Sequence, residues 1–326
     1  MSDLQIEKVK VKRLAHIGLW TGDSMAQARF YRQVLGLDLR TTSEGVLDPN
    51  IDIESANLFL GLGEEHHCIG LYNDTRPMPS NARKPVRLPG PLHHLTFEVD
   101  TAAELAALAA RLRLSNIDLT LGANDGYPDT GDALWFNDPD GNQISIAVAM
   151  GDLLTYTPYI SPAQFVQRAI ARPCGLQHVA LYTLQLEAMI EFYTEALGFD
   201  ISDWLLRERV WLRCNTDHHT VLFIQGQPGI DHIGFGIPNS ADLLRWADYL
   251  SRQAVPLLWG PGRHGAGNDL FIRFADADGL HIELSTEMMQ YYDRDVTTPP
   301  RLWHTRTTAL NLWGTMPSWI EAEAQP

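Results

Sequence analysis

The stretch LAHIGLWT at residues 14–21 returns as LQHVALYT at residues 176–183, and this repetition is the strongest indication of the fold in the sequence. The same offset of 162 residues brings the Phe-Tyr pair at 30–31 onto the pair at 192–193. A second block, Asp-Pro-Asp-Gly at 138–141, matches Asp-Ala-Asp-Gly at an offset of 138 residues. Two blocks that recur in the same order are not expected by chance, so the chain is a tandem duplication.

Length and composition favour an acidic, soluble protein of about two domains. The chain has 326 residues, and 25 Lys and Arg against 40 Asp and Glu give a formal net charge of −15. This charge argues against nucleic acid, whose binders present a basic face. No apolar run approaches the ~18 residues of a membrane span, and the N-terminus lacks a signal-peptide core. The three cysteines, Cys68, Cys174 and Cys214, do not indicate a disulfide scaffold. We therefore expect a cytoplasmic protein that binds a small molecule.

Both copies predict the same order of secondary structure. In the first copy, a strand at 16–21 leads into an amphipathic helix at 24–35 that Gly36 ends. A strand at 95–99 follows, and then a second helix that begins with a capping box of Thr101 and Glu104. A hairpin closes the copy. The second copy predicts the matching elements at 178–183, 186–197, 220–224, 233–237, from Ser240, and around the turn at 276–279. This pattern predicts an α+β fold.

The repeat also predicts the boundaries of the parts. The first copy occupies residues 1–150, a linker with a short helix 151–172, the second copy 173–290, and a tail 291–326. The change in offset gives the first copy about 24 extra residues, which we place in the Pro- and Gly-rich stretch 44–91, as a long connection rather than core. The tail carries three tryptophans that we expect to be exposed and to serve tail packing or an interface. They are Trp303, Trp313 and Trp319.

Three polar residues interrupt apolar strands of the second copy: His178, His232 and Glu283. If each strand aims one side chain inward, two imidazoles and a carboxylate meet on one face of a metal. That set favours non-haem Fe(II) or Mn(II), with coordination positions left open for substrate and oxidant. The alternative is that each histidine is a hydrogen-bonded core residue.

The duplication supplies an internal control for this metal site. The first copy keeps His16 and His94, but Ser145 stands where the second copy has Glu283. Two neutral ligands without a carboxylate make a poor site for a divalent metal. The first copy is therefore predicted to be non-catalytic.

Further histidines lie between the predicted ligands. One pair is His218-His219, and His264 lies in the Gly- and Pro-rich loop at 260–268. Such a loop fixes the backbone and would let a substrate approach His264 closely; a surface turn is the alternative. Four other histidines are expected to be surface or packing residues. They are His66, His67, His281 and His304.

The motifs around these residues resemble those of type I extradiol ring-cleaving dioxygenases of the vicinal oxygen chelate superfamily. The resemblance rests on blocks at 178–181, 214–219, 231–233, 260–268 and 276–283, and the tail at 312–319 is similar to the homoprotocatechuate 2,3-dioxygenase branch. It implies tandem βαβββ modules that form two similar barrel-like domains. It also implies a catecholic substrate, O2, Fe(II) or Mn(II), and a homo-oligomer, dimeric or tetrameric.

The resemblance also implies roles for individual residues. His178, His232 and Glu283 become the metal ligands. The second-sphere acid/base is one of the pair His218-His219: the Cys-Asn-x-x-His-His frame selects His219, which we prefer, whereas one branch's loop length selects His218. The resemblance gives His264 a hydrogen bond to the substrate oxygen. Arg263 and Asn268 are expected to contribute to substrate binding.

Two departures from the family pattern bear on the substrate. The family usually has a tyrosine ten residues before the ligand glutamate, where this chain has Arg273. In so apolar a strand, an arginine either snorkels outward or points into the cavity. Arg273 shares parity with Phe271, and the family's frame implies that it lines the site, so we expect it to bind an anionic or carbonyl-bearing substituent. The homoprotocatechuate branch has a substrate-binding arginine where this chain has Ala309, with Arg306 one helical turn earlier.

The leading prediction of function, an extradiol dioxygenase, has two alternatives. The second is a glyoxalase-like lyase or isomerase, and the third is a ligand-sequestering binding protein.

Overall fold

The structure is a computed structural model of the chain. It describes residues 9–42, 57–63, 67–73, 92–123, 132–149, 170–293, 296, 298–314 and 316–322. Four βαβββ modules follow one another, two in each half, as the α+β prediction requires. The boundaries predicted at 150, 172 and 290 stay predictions, since most of the expected linker lies outside the described residues.

The first half contains two modules. Their elements are β1 Arg13–Thr21, α1 Ser24–Phe30, β2 Asp38–Thr42, β3 Leu58–Gly61, β4 Ile69–Asn73, β5 Leu92–Val99, α2 Ala102–Leu114, β6 Thr120–Ala123, β7 Asp132–Asn137 and β8 Gln143–Val148. The second half repeats the order. Its elements are β9 Gly175–Thr183, α3 Leu186–Glu191, β10 Asp200–Leu205, β11 Arg209–Arg213, β12 Val221–Gln225, β13 Gly229–Gly236, α4 Ser240–Arg252, β14 Trp259–Arg263, β15 Leu270–Ala275 and β16 His281–Thr286.

Each half is built on one mixed sheet. The order in the first sheet is β2-β3-β4-β1-β5-β8-β7-β6, and in the second β14-β15-β16-β13-β9-β12-β11-β10. The two modules of a half meet through their first strands, which pair antiparallel, β1 with β5 and β9 with β13. The last strand of the fourth module, β16, lies parallel beside β13. This topology brings the first strands of both modules together at the centre of each sheet.

The helix predicted at 24–35 is present but changes pitch. The α-helix α1 continues into a π-helical turn, Tyr31–Leu35, which ends at Gly36 in the left-handed conformation with φ 82°. The second half repeats the device, with a π-helical turn at Phe192–Ala196 after α3. The predicted capping box of α2 is confirmed, because Thr101 accepts from the Glu104 amide and Glu104 accepts from the Thr101 amide.

The prediction that the extra residues of 44–91 form one long connection is wrong in one respect. Strands β3 and β4 run inside this stretch, and Leu58, Leu60 and Leu71 are fully buried in the core. The two strands were missed because they have only four and five residues and lie among Pro- and Gly-rich segments. Residues 43–56 and 74–91 lie outside the described part of the chain.

The two halves hold each other through a reciprocal pair of contacts. The Tyr31 hydroxyl, in the first half, donates to Asp276 Oδ2 in the second half's hairpin turn at 3.0 Å. Its counterpart Tyr193, in the second half, donates to Asp138 Oδ2 in the first half's turn at 3.4 Å. Gln27 adds a 2.7 Å hydrogen bond to Asp276 Oδ2. The first helical segment of each half therefore donates a hydrogen bond to the hairpin turn of the other half.

The tail folds onto the second half. Strand β17, Arg301–Trp303, joins the edge of the second sheet parallel to β10, and two short helices follow, α5 Arg306–Leu310 and α6 Ser318–Ala322. Of the three tryptophans expected to be exposed, only Trp313 is exposed. Trp303 donates to Asp203 at 2.8 Å and Trp319 packs edge-on against His281. In the described residues, no helix is long and apolar enough to cross a membrane.

Candidate metal centre and active site

The three predicted metal ligands lie in one row across three neighbouring strands. Gly234 on β13 is the register partner of His178 on β9 and also of Glu283 on β16. His232 lies two residues before Gly234, and side chains two residues apart on a strand share a face. The order β16-β13-β9, set by the fold, therefore gathers side chains from three distant parts of the sequence.

The ligand atoms of this row are close and buried. His178 Nε2 lies 3.1 Å from His232 Nε2 and 3.5 Å from Glu283 Oε1, and none of the three residues is more than 3% exposed. One ligand atom from each fits within 4.8 Å of the others. Two imidazole nitrogens and a carboxylate at this spacing fit one divalent transition metal.

A buried aspartate orients His232. Asp231 Oδ2 accepts from His232 Nδ1 at 2.6 Å, and the Tyr182 hydroxyl donates to Asp231 Oδ1 at 2.7 Å. Burial alone would raise the pKa of Asp231, but the His232 hydrogen bond and the Arg273 charge hold it well below its usual value. An ionised carboxylate on Nδ1 leaves the Nε2 lone pair of His232 directed into the site, which is how metal-binding histidines are commonly supported.

Arg273 lies inside the site, on the cavity side. Its Nη2 is 2.6 Å from Glu283 Oε2, and its Nη1 is 3.2 Å from Asp231 Oδ2. Its guanidinium carbon lies 5.1 Å from the centre of the Trp259 ring. Burial would raise the pKa of Glu283, but the charge of Arg273 beside it holds it well below the usual value. The guanidinium is thus paired with two carboxylates, one of them a predicted metal ligand.

His219 faces the site, and His218 lies behind it. The His219 ring is 4.4 Å from the His178 ring and lines the cavity next to His232 and Glu283. His218 is fully buried, with Nδ1 3.2 Å from His219 Nδ1. Burial, with His178 and His218 nearby, holds the pKa of His219 well below its usual value. His219 is therefore neutral at neutral pH and able to accept a proton.

His264 is hydrogen-bonded to the C-terminal tail. Its Nδ1 lies 2.6 Å from the carbonyl oxygen of Leu310, so Nδ1 donates and Nε2 faces Glu283 Oε2 at 3.5 Å. The ring stacks on Phe271 at 3.8 Å. The Gly- and Pro-rich loop was expected to let a substrate approach His264, but a Cβ at the neighbouring Gly265 would lie 1.9 Å from the Thr308 carbonyl oxygen. The glycine therefore makes room for the tail backbone.

A second carboxylate beside His264 was not predicted. Asp269 is fully buried, and no other described residue donates a hydrogen bond to its side-chain oxygens. With His264 and Glu283 it forms another group of potential ligand atoms within 4.8 Å. Burial would lower the pKa of His264, but the charges of Asp269 and Glu283 raise it above the usual value. His264 is accordingly a hydrogen-bond donor in this anionic setting.

These side chains enclose a cavity of about 20 Å³, which is room for about one water molecule. Its lining includes the predicted His219, His232, His264, Arg273 and Glu283. Sequence reasoning missed the rest, which are Arg209, Trp211, Leu222, Trp259, Leu310 and Ile320. Leu310 and Ile320 come from the tail helices, so the tail closes one side of the cavity.

Two predicted substrate-binding residues are not brought to the cavity lining. Arg263 donates to the Asn268 carbonyl at 2.7 Å and pairs with Glu287 at 2.7 Å, because its side chain leaves β14 on the other side. Asn268 is exposed and adopts the left-handed conformation with φ 57°, so it shapes the turn. Arg306, the tail arginine, pairs with Glu208 instead of facing the cavity.

The first half has an equivalent site without the carboxylate. His16 Nε2 lies 2.9 Å from His94 Nε2, but the Thr96 hydroxyl lies 2.9 Å from His16 Nε2 and 2.5 Å from the Ser145 hydroxyl. The offset of 138 places Thr96 at the position of Gly234 and Ser145 at that of Glu283. Both ligand clusters found among the described residues lie in the second half.

The strand registers show that the first half also has a counterpart of His219. Ile17 pairs with Ile69 as Val179 pairs with Val221, which makes His67 the counterpart of His219. The His67 ring lies 4.2 Å from the His16 ring, matching the 4.4 Å between the second-half pair. The sequence pairs His66-His67 and His218-His219 are 152 residues apart, and this offset is the signal that could have revealed the equivalence of His67 and His219.

The fold and the site together define a class: duplicated βαβββ proteins with two histidines and one carboxylate in a row across one sheet. The chain belongs to the Glyoxalase/Bleomycin resistance protein/Dioxygenase superfamily, whose family model matches residues 13–146 and 175–284.

Relatives and solved structures agree with this membership. The iron-dependent extradiol dioxygenase of Rhodococcus jostii (strain RHA1) is 29% identical over 239 residues, covering 67% of this chain and 75% of the relative. The 3-methylcatechol 2,3-dioxygenase of Pseudomonas putida is 26% identical and covers 67% of this chain and 76% of the relative. The Mn(II)-bound glyoxalase from Novosphingobium aromaticivorans superposes with a TM-score of 0.74 at 23% identity, covering 94% of this chain and 91% of that one. Homoprotocatechuate 2,3-dioxygenase from Arthrobacter globiformis superposes with a TM-score of 0.72 at 20% identity, covering 95% and 91%.

Proposed function

We propose that this protein is an extradiol dioxygenase that opens a substituted catechol next to its diol, in aromatic compound catabolism. The observation that carries the proposal is the row of His178, His232 and Glu283 with two further histidines, His219 and His264, at the same cavity. A site that only held a metal would need the first three. The relatives named as extradiol and catechol dioxygenases support the same reaction.

The metal of the proposed site is Fe(II), with Mn(II) as the second candidate. His178 Nε2, His232 Nε2 and a Glu283 oxygen would hold it, and this donor set accepts both ions. The name of the Rhodococcus relative supports iron. When bound, the metal lowers the pKa of a catechol hydroxyl and brings the diol and O2 together.

His219 is the general base of the proposed reaction. Its ring is neutral and buried at the cavity wall, so it can accept the proton of the second catechol hydroxyl and later return it. His264, with its raised pKa, donates a hydrogen bond to the oxygen that becomes anionic. Both atoms of O2 enter the ring-opened product, so the reaction needs no external reductant.

Arg273 sets the substrate preference in this proposal. Its guanidinium lies against Glu283 and Asp231, and the cavity is too small for a catechol while it stays there. With Glu283 engaged as a metal ligand, Arg273 would lose one of its two carboxylate partners and would pair instead with an anionic or carbonyl-bearing substituent of the substrate.

Replacement of Arg273 by the tyrosine usual in the family tests this role. We expect Arg273→Tyr to raise the KM of carboxylate-bearing catechols by about 10- to 100-fold relative to catechol itself, because a charge-assisted hydrogen bond is lost. Steady-state O2 uptake across a catechol series measures the ratio. Arg245→Gln, on the exposed face of α4, is the control. An unchanged substrate preference would reject the role of Arg273.

One experiment tests the function as a whole. The protein, loaded anaerobically with Fe(II), is mixed with a panel of catechols in the presence of O2. We expect O2 consumption with formation of a yellow ring-opened product. Metal binding without O2 uptake across the panel would favour the glyoxalase-like lyase or isomerase.

The cellular location and assembly belong to the same proposal. We expect a cytoplasmic homo-oligomer, dimeric or tetrameric. Size-exclusion chromatography with light scattering measures the assembly, and a monomer at micromolar concentration would contradict it.

A further inference from the structure

A chain of buried hydrogen bonds leads from the tail to the proposed base. Asp203 on β10 is fully buried, and its Oδ2 lies 3.0 Å from His218 Nε2. The other nitrogen of His218, Nδ1, lies 3.2 Å from His219 Nδ1. The tail strand β17 supplies Arg301, which donates from Nε to Oδ1 and from Nη2 to Oδ2 at 2.8 Å each, and Trp303, which donates to Oδ2 at 2.8 Å.

The chemistry of the groups fixes the direction of each hydrogen bond. Asp203, paired with a guanidinium, is ionised and can only accept. His218 Nε2 therefore carries the proton toward Asp203. Arg301 Nη2 also lies 3.4 Å from His218 Nε2. Arg301 could donate to a lone pair on His218 Nε2. That lone pair would, however, face the Asp203 carboxylate at the shorter distance of 3.0 Å, which is repulsive.

The same logic continues to His219. A neutral imidazole with its proton on Nε2 has its lone pair on Nδ1. His218 Nδ1 therefore accepts, and His219 Nδ1 must donate to it. In neutral His219 the lone pair then lies on Nε2, the nitrogen that is not used by His218.

We infer that Asp203 is a positioning residue that fixes the tautomer of His219 through His218, so that the Nε2 lone pair of His219 serves as the base. The inference rests on the proposed function for the role of His219. It assigns a function to Asp203, to the buried His218 and to the tail strand, all of which lie outside the cavity lining. A merely structural Asp203 would leave the tautomer of His219 unaffected.

The geometry around Asp203 provides a matched pair of variants. Among the described residues, three donors converge on Oδ2 and one on Oδ1, so in Asp203→Asn the amide oxygen takes the Oδ2 position and still accepts from His218. Asp203→Ala removes the acceptor. Asp200→Asn, on the same strand in a part-exposed pair with Lys10, is the control for charge removal.

The first measurement reads the tautomers without substrate. Two-bond ¹⁵N–¹H correlation spectra of histidine-labelled, zinc-loaded protein distinguish the two neutral forms. We expect the proton of His218 on Nε2 and that of His219 on Nδ1 in the native protein, in Asp203→Asn and in Asp200→Asn. Asp203→Ala is expected to give His219 the other tautomer or a mixture. A native His219 with its proton on Nε2, or an unchanged tautomer in Asp203→Ala, overturns the inference.

The second measurement is O2 uptake by the iron-loaded enzyme. We expect Asp203→Ala to lower kcat by about 100-fold, within the range of general acid–base catalysis, with KM changed less than about threefold. In a His219→Gln background the same substitution is expected to have no further effect on kcat. An equal loss in both backgrounds would show that Asp203 does not act through His219.

A pair of His218 variants covers the case in which Asp203→Ala fails to fold. A glutamine can donate to Asp203 and accept from His219, whereas a leucine can do neither. We expect His218→Gln to keep the Nδ1–H form of His219 and His218→Leu to lose it; equal tautomers in both would overturn the inference. Absence of O2 uptake by the native enzyme would refute the proposed function instead, since the tautomer measurement does not depend on turnover.

Discussion

Gly234 lies at the one position of the metal-ligand row where a side chain cannot fit. It is paired with both His178 and Glu283. A Cβ at Gly234 would lie 2.1 Å from His178 Cε1, far closer than two non-bonded carbon atoms can approach. The first half has Thr96 at this position, and there the threonine hydroxyl contacts the equivalent histidine.

We therefore expect Gly234→Ala to weaken metal binding by about 10- to 100-fold, the range seen when groups that orient a metal ligand are lost. Chelator competition with Fe(II) or Mn(II) measures the affinity. Gly236→Ala is a matched control, because its Cβ would meet only the Gln177 side chain at 3.7 Å. Equal affinities of the two variants would contradict the steric explanation.

The meeting of His178, His232 and Glu283 could be predicted from the sequence, whereas the pairing of Asp231 with Arg273 beside them could not. His178, His232 and Glu283 interrupt apolar strands, which is a local signal. Asp231 and Arg273 lie 42 residues apart, and their pairing depends on the order of strands in the sheet. Charge alone placed Arg263 near the site as well, but its side chain leaves β14 on the other side.

Among the secondary-structure elements, the hairpin turn before β16 carries a titrating carboxyl group. Asp276 is buried, and its pKa is raised to about 7, first by burial and then by the charge of Asp278. The folded protein thus binds more protons than the unfolded chain between about pH 4 and 7. The contribution of Asp276 to the free energy of unfolding is therefore largest below pH 4 and is lost as the pH rises through 7.

We expect Asp276→Asn to remove this dependence. The free energy of unfolding of the variant should rise relative to the native protein by about 4 kcal/mol between pH 4 and 7, and stay level outside this window. Urea unfolding at a series of pH values measures the difference. Asp118→Asn, at an exposed position, should show no such trend; a difference independent of pH for Asp276→Asn would contradict the raised pKa.

Sequence patterns predicted the long elements better than the short ones. The capping box of α2 and the glycine that ends the first helix are local signals, and both predictions hold. Strands β3 and β4 were missed because four or five residues carry little periodicity. Strand β17 is shorter still, and its place beside β10 depends on contacts made across about 100 residues of chain.

For the molecule as a whole, duplication creates two sheets with the same architecture and different site chemistry. Each sheet brings a pair of histidines together, 2.9 Å apart in the first half and 3.1 Å in the second. Among the residues that the structure describes, only the second half adds a carboxylate to the pair. A serine and a threonine, both neutral, take the corresponding places in the first half.

We therefore expect one tightly bound divalent metal per chain. His232→Ala should abolish it, because a ligand is lost, whereas the duplicated counterpart His94→Ala should leave the stoichiometry at one. Metal analysis after dialysis, with circular dichroism to check folding, measures both. Two metals per chain in the native protein, or loss of metal in His94→Ala, would contradict this asymmetry.

The reciprocal tyrosine–aspartate contacts bear on the survival of the first half through evolution. A copy that lacks the third ligand would be free to drift or be deleted if it stood alone. Tyr31 and Gln27, however, donate the two side-chain hydrogen bonds to Asp276 Oδ2, and the turn of Asp276 leads directly into the strand that carries Glu283. Natural selection on the second half therefore acts on the first as well. Gene duplication has here produced a dependence rather than a redundancy.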